Sequence, residues 1–243
     1  LLTCETGVQT CALPIEVKPS SMCAVPRFYE KIYAAVFYRL ESASPTKKKL
    51  FNWSVSVGLE RNTRVKDELP ISPMLALKYK VADTLVLKKL RGLTGGRIKF
   101  FPCAGAPLSD VIEEFFYSIG IFVCYGYGLT ETTATVTCHL PRKFKFGTVG
   151  HPLPGVEVKI SPDNDEVLVR GANVMKGYYK RPDATAEVFT EDGFFRTGDA
   201  GLIEDNGELR ITDRIKDLMK TSGGKYIPPQ LIETSVGADY FIE

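Results

Sequence analysis

YGYGLTETTA, residues 125–134, alternates tyrosine with glycine and then crowds threonines around one glutamate. The residues before it, IGIFVC (119–124), are apolar and β-branched and read as a buried strand. Two readings compete for a strand that ends this way. One is a tight turn followed by a capped helix. The other is a nucleotide site, with a ring to stack on a base, glycines that let phosphate approach, and Glu131 to hold a metal ion.

Upstream, RIKFFPCAG (97–105) reads as a strand and LSDVIEEFFYSIG (108–120) as a helix, with Ser109 as its cap and Gly120 as its stop. With the strand at 121–125 this makes a βαβ unit, so the first half of the chain predicts a parallel α/β layer. Ligands of such sheets sit at the carboxyl ends of the strands, where CAGAPL (103–108) and YGYGLTE (125–131) both fall. Earlier still, PRFYEKIYAAVFYRLES (26–42) predicts a helix opened by its proline, with Phe28, Ile32, Val36 and Leu40 on one face. Further helices are expected over 46–60 and 74–91.

After Gly147 the texture changes. VEVKI (156–160), EVLVRG (166–171), FFRTGD (194–199), AGLIE (200–204) and GELRITD (207–213) are short strands between Gly, Asp, Asn and Pro turns, as in an antiparallel β subdomain. The end of the chain, from Asp213, is charged and glycine-containing, and PPQLIETSV (228–236) starts a helix. The opening LLTCETGVQTCALPI has no period and resembles a translated sequencing adaptor, so residues 1–15 are set aside as a non-native extension. The expected organisation is α/β layer over 16–147, β subdomain over 148–215, and the start of a small C-terminal α+β domain over 216–243.

A chain of 243 residues, 44% hydrophobic and 25% charged, can bury an ordinary core. Its net charge of +2 gives no reason to favour nucleic acid, and TKKK (46–49) reads as a solvated helix end. The six cysteines form no Cys-x-x-Cys pair, and Cys103 and Cys124 sit in apolar runs; reduced buried thiols of a cytoplasmic protein fit better than disulfides. His139 and His151 are too few and too far apart for a zinc site. No apolar run reaches the length of a membrane span.

Taken singly, the motifs admit plain readings. RTGD (196–199) can be a hairpin turn with Asp199 capping a backbone N–H, or a carboxylate that grips the two hydroxyls of a ribose. DRIKDLMKTSGGK (213–225) can be a solvated strand and turn, or a source of cations for phosphate in Arg214, Lys216, Lys220 and Lys225. In order, however, the chain carries AGAPL, YGYGLTE, GYYKRPDATAEVF, GFFRTGD and DRIKDLMKTSGGK. Together these resemble the AMP-forming acyl-activating enzymes, and AVPRFYEKI with TSGGKYIPPQLIE looks most like the long-chain fatty acid–CoA ligases.

The resemblance implies that a carboxylic acid and ATP give acyl-AMP and pyrophosphate, and that coenzyme A then displaces AMP. On this chain it implies that Gly105, Ala106 and Pro107 line the adenine edge, that Tyr127 stacks on the base, and that Gly128 lets the backbone pass close by. Thr130 would bond the α-phosphate, Glu131 would bind Mg²⁺, and Asp199 would hold the ribose with help from Arg214. Lys216 falls at the family's hinge, Lys220 at a position that approaches the adenylate, and Gly223 near the coenzyme A tunnel. Cys124 and Tyr125 would border the acyl pocket, with core packing as the competing reading for Cys124.

Two departures stand out: the family's Ser/Thr/Gly-rich phosphate loop and its C-terminal adenylation lysine have no counterpart here. The expectation is an internal fragment of a long-chain ligase whose partners are fatty acid, ATP and coenzyme A. Neither nucleic acid nor an obligate protein partner is expected, and peripheral membrane association is left open. The alternatives are a non-catalytic module that holds AMP or acyl-AMP, and an enzyme for a different acid.

Overall fold

The computed structural model describes residues 12–215, 219–220, 226–227 and 229. The chain divides into two compact units that interleave along the sequence. The first holds residues up to Cys103, Asp110–Cys124 and Pro141–Lys143, and the second holds Ala104–Ser109, Tyr125–Leu140 and Phe144 onward.

The first unit is mainly helical: α1 (Ala12–Val17), α2 (Pro26–Glu41), α3 (Pro45–Lys66), α4 (Pro73–Ala82), a π-helical turn at Asp83–Leu87, and α5 (Lys88–Gly92). Then come β1 (Phe100–Cys103), α6 (Asp110–Ser118) and the first residues of β2 (Phe122–Tyr127). Three of these helices open on proline, whose missing N–H costs nothing in a first turn. Helix α1 crosses position 15, so the fold takes up the last residues of the stretch set aside on composition.

Three sequence expectations shift here. Helix α2 buries Tyr29, Ile32 and Val36, leaving Phe28 and Leu40 half-buried. A spacing of three then four follows the 3.6-residue turn, whereas repeated fours drift off the face. The Tyr29 ring meets Phe101 and Phe116 edge-on, each at 5.3 Å between centroids. Helix α3 runs past residue 60 to Lys66 because tertiary bonds hold its last turns: Asn62 Nδ2 donates to Tyr117 C=O at 2.7 Å, and Tyr117 Oη returns a bond to Asn62 C=O at 2.9 Å. The single helix expected over 74–91 is three pieces. At its π turn Arg91 reaches Asp83 Oδ1 at 2.7 Å and donates to Ile119 C=O at 2.8 Å, an insertion that periodicity does not register.

Strand β2 starts beside the start of β1, with Phe122 N–H donating to Lys99 C=O at 3.2 Å and α6 as the crossover between them. This is the expected parallel βαβ arrangement. At the N-terminus of α6, Val111 N–H donates to the Asp110 carboxylate at 2.9 Å.

The second unit takes over at Tyr125. It contains the end of β2, a 3₁₀ turn at Thr130–Thr132, and the short antiparallel strands β3 (Thr137–Cys138) and β4 (His151–Pro152). An antiparallel sheet follows in the order β5 (Val156–Ile160), β6 (Glu166–Gly171), β7 (Phe195–Ile203), β8 (Leu209–Arg214), with α7 (Pro182–Glu187) between β6 and β7. Val167, Val169, Phe195, Ala200 and Leu209 are buried within it. FFRTGD and AGLIE, expected as two strands, fuse into β7, so RTGD is strand interior and not a hairpin turn. Asp199 itself donates its N–H to Thr197 Oγ1 at 3.1 Å. Asp199 pairs with Arg214 and Ala200 with Asp213, but Gly201 pairs with Ile211, so Thr212 is a bulge. Beyond β8, β9 (Met219–Lys220) and β10 (Tyr226–Ile227) form an antiparallel pair.

Candidate functional site

The turn after β2 is wound tightly on itself. Leu129 N–H donates to Thr132 Oγ1 at 2.9 Å, and that hydroxyl donates back to Leu129 C=O at 3.1 Å. Thr133 and Ala134 then take φ values of +51° and +76°, the left-handed region that β-branched threonine rarely enters. A Cβ on Gly128 would lie 2.0 Å from Ala134 C=O, so glycine is a steric requirement there. Strain of this kind, of order 1–3 kcal/mol per residue, persists where neighbours over-determine the backbone. Here the neighbour is Asn173. Its Nδ2 donates to Thr132 C=O at 3.3 Å and to Thr135 C=O at 3.0 Å, while Thr133 Oγ1 donates to Asn173 C=O at 2.8 Å.

Tyr127, the last residue of β2, donates its hydroxyl to Asp199 Oδ2 at 2.5 Å. Arg214 Nε lies 3.8 Å from the other oxygen, as the cross-strand partner of Asp199. Asp199 is buried while the Arg214 side chain is exposed. Burial pushes the Asp199 carboxyl above the usual carboxylate range, against the opposing pull of the Tyr127 hydrogen bond and the Arg214 charge. Burial also pushes the Tyr127 phenol up, and the Asp199 charge pushes it further, so the phenol remains the donor of the pair. Glu166, also buried, accepts from Gly198 N–H at 3.0 Å and from Arg196 Nη1 at 3.1 Å, which fixes the strand just before Asp199.

Glu131 is half-buried on the 3₁₀ turn. Its Oε1 accepts from Tyr178 Oη at 3.0 Å and its backbone C=O accepts from Met175 N–H at 2.7 Å. Among the described residues no three His, Cys, Asp or Glu side chains gather into a metal cage. A single carboxylate nonetheless suits Mg²⁺, which takes one or two carboxylates and completes its octahedron with phosphate and water. The donor set fits that ion.

Gly105, Ala106 and Pro107 lie in the same unit, Gly105 with φ +94° and both Gly105 and Ala106 exposed. Tyr125 joins their loop to the end of β2: its hydroxyl donates to Ala106 C=O at 3.0 Å and accepts from Leu108 N–H at 3.2 Å. Thr130 is exposed beside Glu131. Lys216 and Gly223 lie outside the described residues, and of Lys220 only the backbone, in β9, is described. Asn173, Tyr178 and Glu166 escaped sequence reasoning as site residues. Tyr178 sits inside GYYKRPDATAEVF, residues 177–189.

The chain belongs to the family of AMP-binding enzymes, which it matches over residues 9–179. It is 36% identical over 221 residues to the long-chain-fatty-acid–CoA ligase FadD15 of Mycobacterium bovis, covering 91% of this chain and 36% of that protein. Long chain acyl-CoA synthetase 1 of Arabidopsis thaliana is 34% identical over 242 residues, covering 94% and 36%. Among solved structures, O-succinylbenzoate coenzyme A synthetase of Bacillus subtilis, in complex with ATP and magnesium ion, is 33% identical with a TM-score of 0.53, over 58% of this chain and 31% of that one. The chain thus spans about a third of the length of these curated relatives.

Proposed function

We propose that this chain supplies the adenosine-binding part of an AMP-forming long-chain fatty acid–CoA ligase. In that reaction a carboxylate oxygen of the acid attacks the α-phosphorus of ATP, and the bond to pyrophosphate breaks to leave acyl-AMP. The thiol of coenzyme A, giving up its proton, then forms the thioester as AMP departs. The observation that carries the reading is the Tyr127–Asp199 bond: an aromatic ring and a carboxylate fixed to one another, as a base and a ribose joined by one bond require.

In this reading Tyr127 stacks on adenine, while the backbone of Gly105, Ala106 and Pro107 lines its edge. Asp199 accepts from both ribose hydroxyls, with Arg214 beside it. Thr130 donates to an α-phosphate oxygen, and Glu131 holds Mg²⁺. Bound there, the ion would draw negative charge from the phosphate oxygens as the leaving group departs. Lys220 approaches the adenylate, Lys216 serves as the hinge of the small domain, and Gly223 keeps room for coenzyme A. The long-chain acid rests on the names of the relatives, and the nucleotide on the ATP-bound synthetase.

The test is to incubate the protein carrying these residues with ATP, Mg²⁺, coenzyme A and acids of graded length. Long-chain acyl-CoA, AMP and pyrophosphate are expected; ADP release or a preference for acetate would overturn the proposal.

A further inference from the structure

The motif GYYKRPDATAEVF has no part in the scheme above, yet it reaches the proposed metal carboxylate. Segment 173–178 touches the 130–135 turn at successive points: Asn173 at Thr132, Thr133 and Thr135, Met175 at the Glu131 backbone, and Tyr178 at the Glu131 side chain. Tyr178 is itself held from behind. Its backbone N–H donates to Thr185 Oγ1 at 2.9 Å, and that hydroxyl donates to Arg181 C=O at 2.8 Å. Gly177 permits the approach: its φ is +148°, and a Cβ there would lie 2.6 Å from Thr185 Cγ2. One chain of contacts therefore runs from Thr185 in α7 through Tyr178 to Glu131.

Resting on the reading of Glu131 as the Mg²⁺ ligand, we infer that Tyr178 is a positioning residue for that carboxylate, locked in place by Thr185. The chemistry is that of a ligand's outer partner. A carboxylate free to rotate presents either oxygen to a cation, and pays rotational entropy when it binds. With Oε1 occupied by the Tyr178 hydroxyl, the plane of the carboxylate is set before the metal arrives. Outer partners of this kind are worth roughly 10- to 100-fold in metal affinity. The hydroxyl matters and the ring does not, which separates positioning from packing.

The experiment titrates Mn²⁺ into the 243-residue chain with AMP present, following the free-ion EPR signal, with a thermal melt of each variant alongside. Tyr178→Phe is expected to weaken Mn²⁺ by roughly tenfold or more with an unchanged melt. Thr185→Val should weaken it in the same sense, and Thr185→Ser should retain wild-type affinity. Glu131→Gln should abolish the site. If Glu131→Gln binds Mn²⁺ as wild type does, or neither binds it, the metal reading fails and this inference with it. If Glu131→Gln weakens Mn²⁺ while Tyr178→Phe does not, the positioning role alone is overturned. A Tyr178→Phe loss matched by an equal fall in the melt would also overturn it, in favour of a packing role.

Discussion

Tyr127 and Asp199 stand 72 residues apart in sequence and 2.5 Å apart in the fold, hydroxyl to carboxylate. The bond joins the end of the β2 strand to the middle of β7, with Asp199 buried and Tyr127 half-buried. Replacing tyrosine by phenylalanine keeps the ring and leaves a buried carboxylate oxygen without its donor. Tyr127→Phe should lower stability by about 1–3 kcal/mol in chemical denaturation while largely preserving AMP affinity. Tyr127→Leu should lose AMP affinity as well. Equal AMP affinities for the two variants would show that the ring does no stacking.

Asp199 carries a pH dependence whose sign follows from its burial. The folded chain holds its proton at pH values where the unfolded chain, titrating near the ordinary 3.8, has released it. The contribution to stability is therefore complete below that value and drains away as pH rises through the folded pKa. Asp199→Asn removes the titration. Its melting temperature relative to wild type should climb from about pH 4 upward, even as AMP binding is lost. A difference that stays constant with pH would refute this.

The strained Thr133–Ala134 pair depends on Asn173. Asn173→Ala deletes two donors to the turn and should cost roughly 2 kcal/mol. Amide hydrogen exchange of residues 128–135 should accelerate more than that of β5–β8; uniform acceleration would mean that the turn is held by something else.

Gly128→Ala places a methyl carbon on top of Ala134 C=O and should destabilise by roughly 1–3 kcal/mol. Gly92→Ala is the control, since nothing lies within 4 Å of its Cβ position and alanine favours a helix. Urea midpoints of the two variants should move in opposite directions.

The strand ends were legible because their chemistry is written locally. An apolar run stopping at Gly, Tyr and Thr marks a loop, and Asp after Thr-Gly marks a carboxylate on stiff backbone. Pairings that depend on distant partners were not legible. Nothing near Asp199 says that Glu166 ties down Gly198, and nothing near Glu131 points to Tyr178 across 47 positions. The reading of RTGD as a turn failed for a related reason: glycine in a strand signals a bulged ladder as readily as a hairpin, and β6 on one side with β8 on the other decided it. Phe28 lost its place to Tyr29 because two aromatic residues in a row leave the phase of a helix undetermined, until Phe101 and Phe116 choose between them.

Thr212 gives the β7–β8 hairpin something like a reading frame. Between Leu209 and Ile211 the rungs count evenly from the tip, and one uncounted residue then restores Arg214 to the position opposite Asp199. Were Thr212 counted into the ladder instead, it would stand opposite Ala200, Asp213 would face Asp199, and Arg214 would slide past it to Gly198. Such a slip is a frameshift in space: the hairpin would still close, but a second carboxylate would take the place of the cation. Removing Thr212 outright would only straighten the ladder and keep Arg214 opposite Asp199, so it is the bulge at this residue that sets the frame.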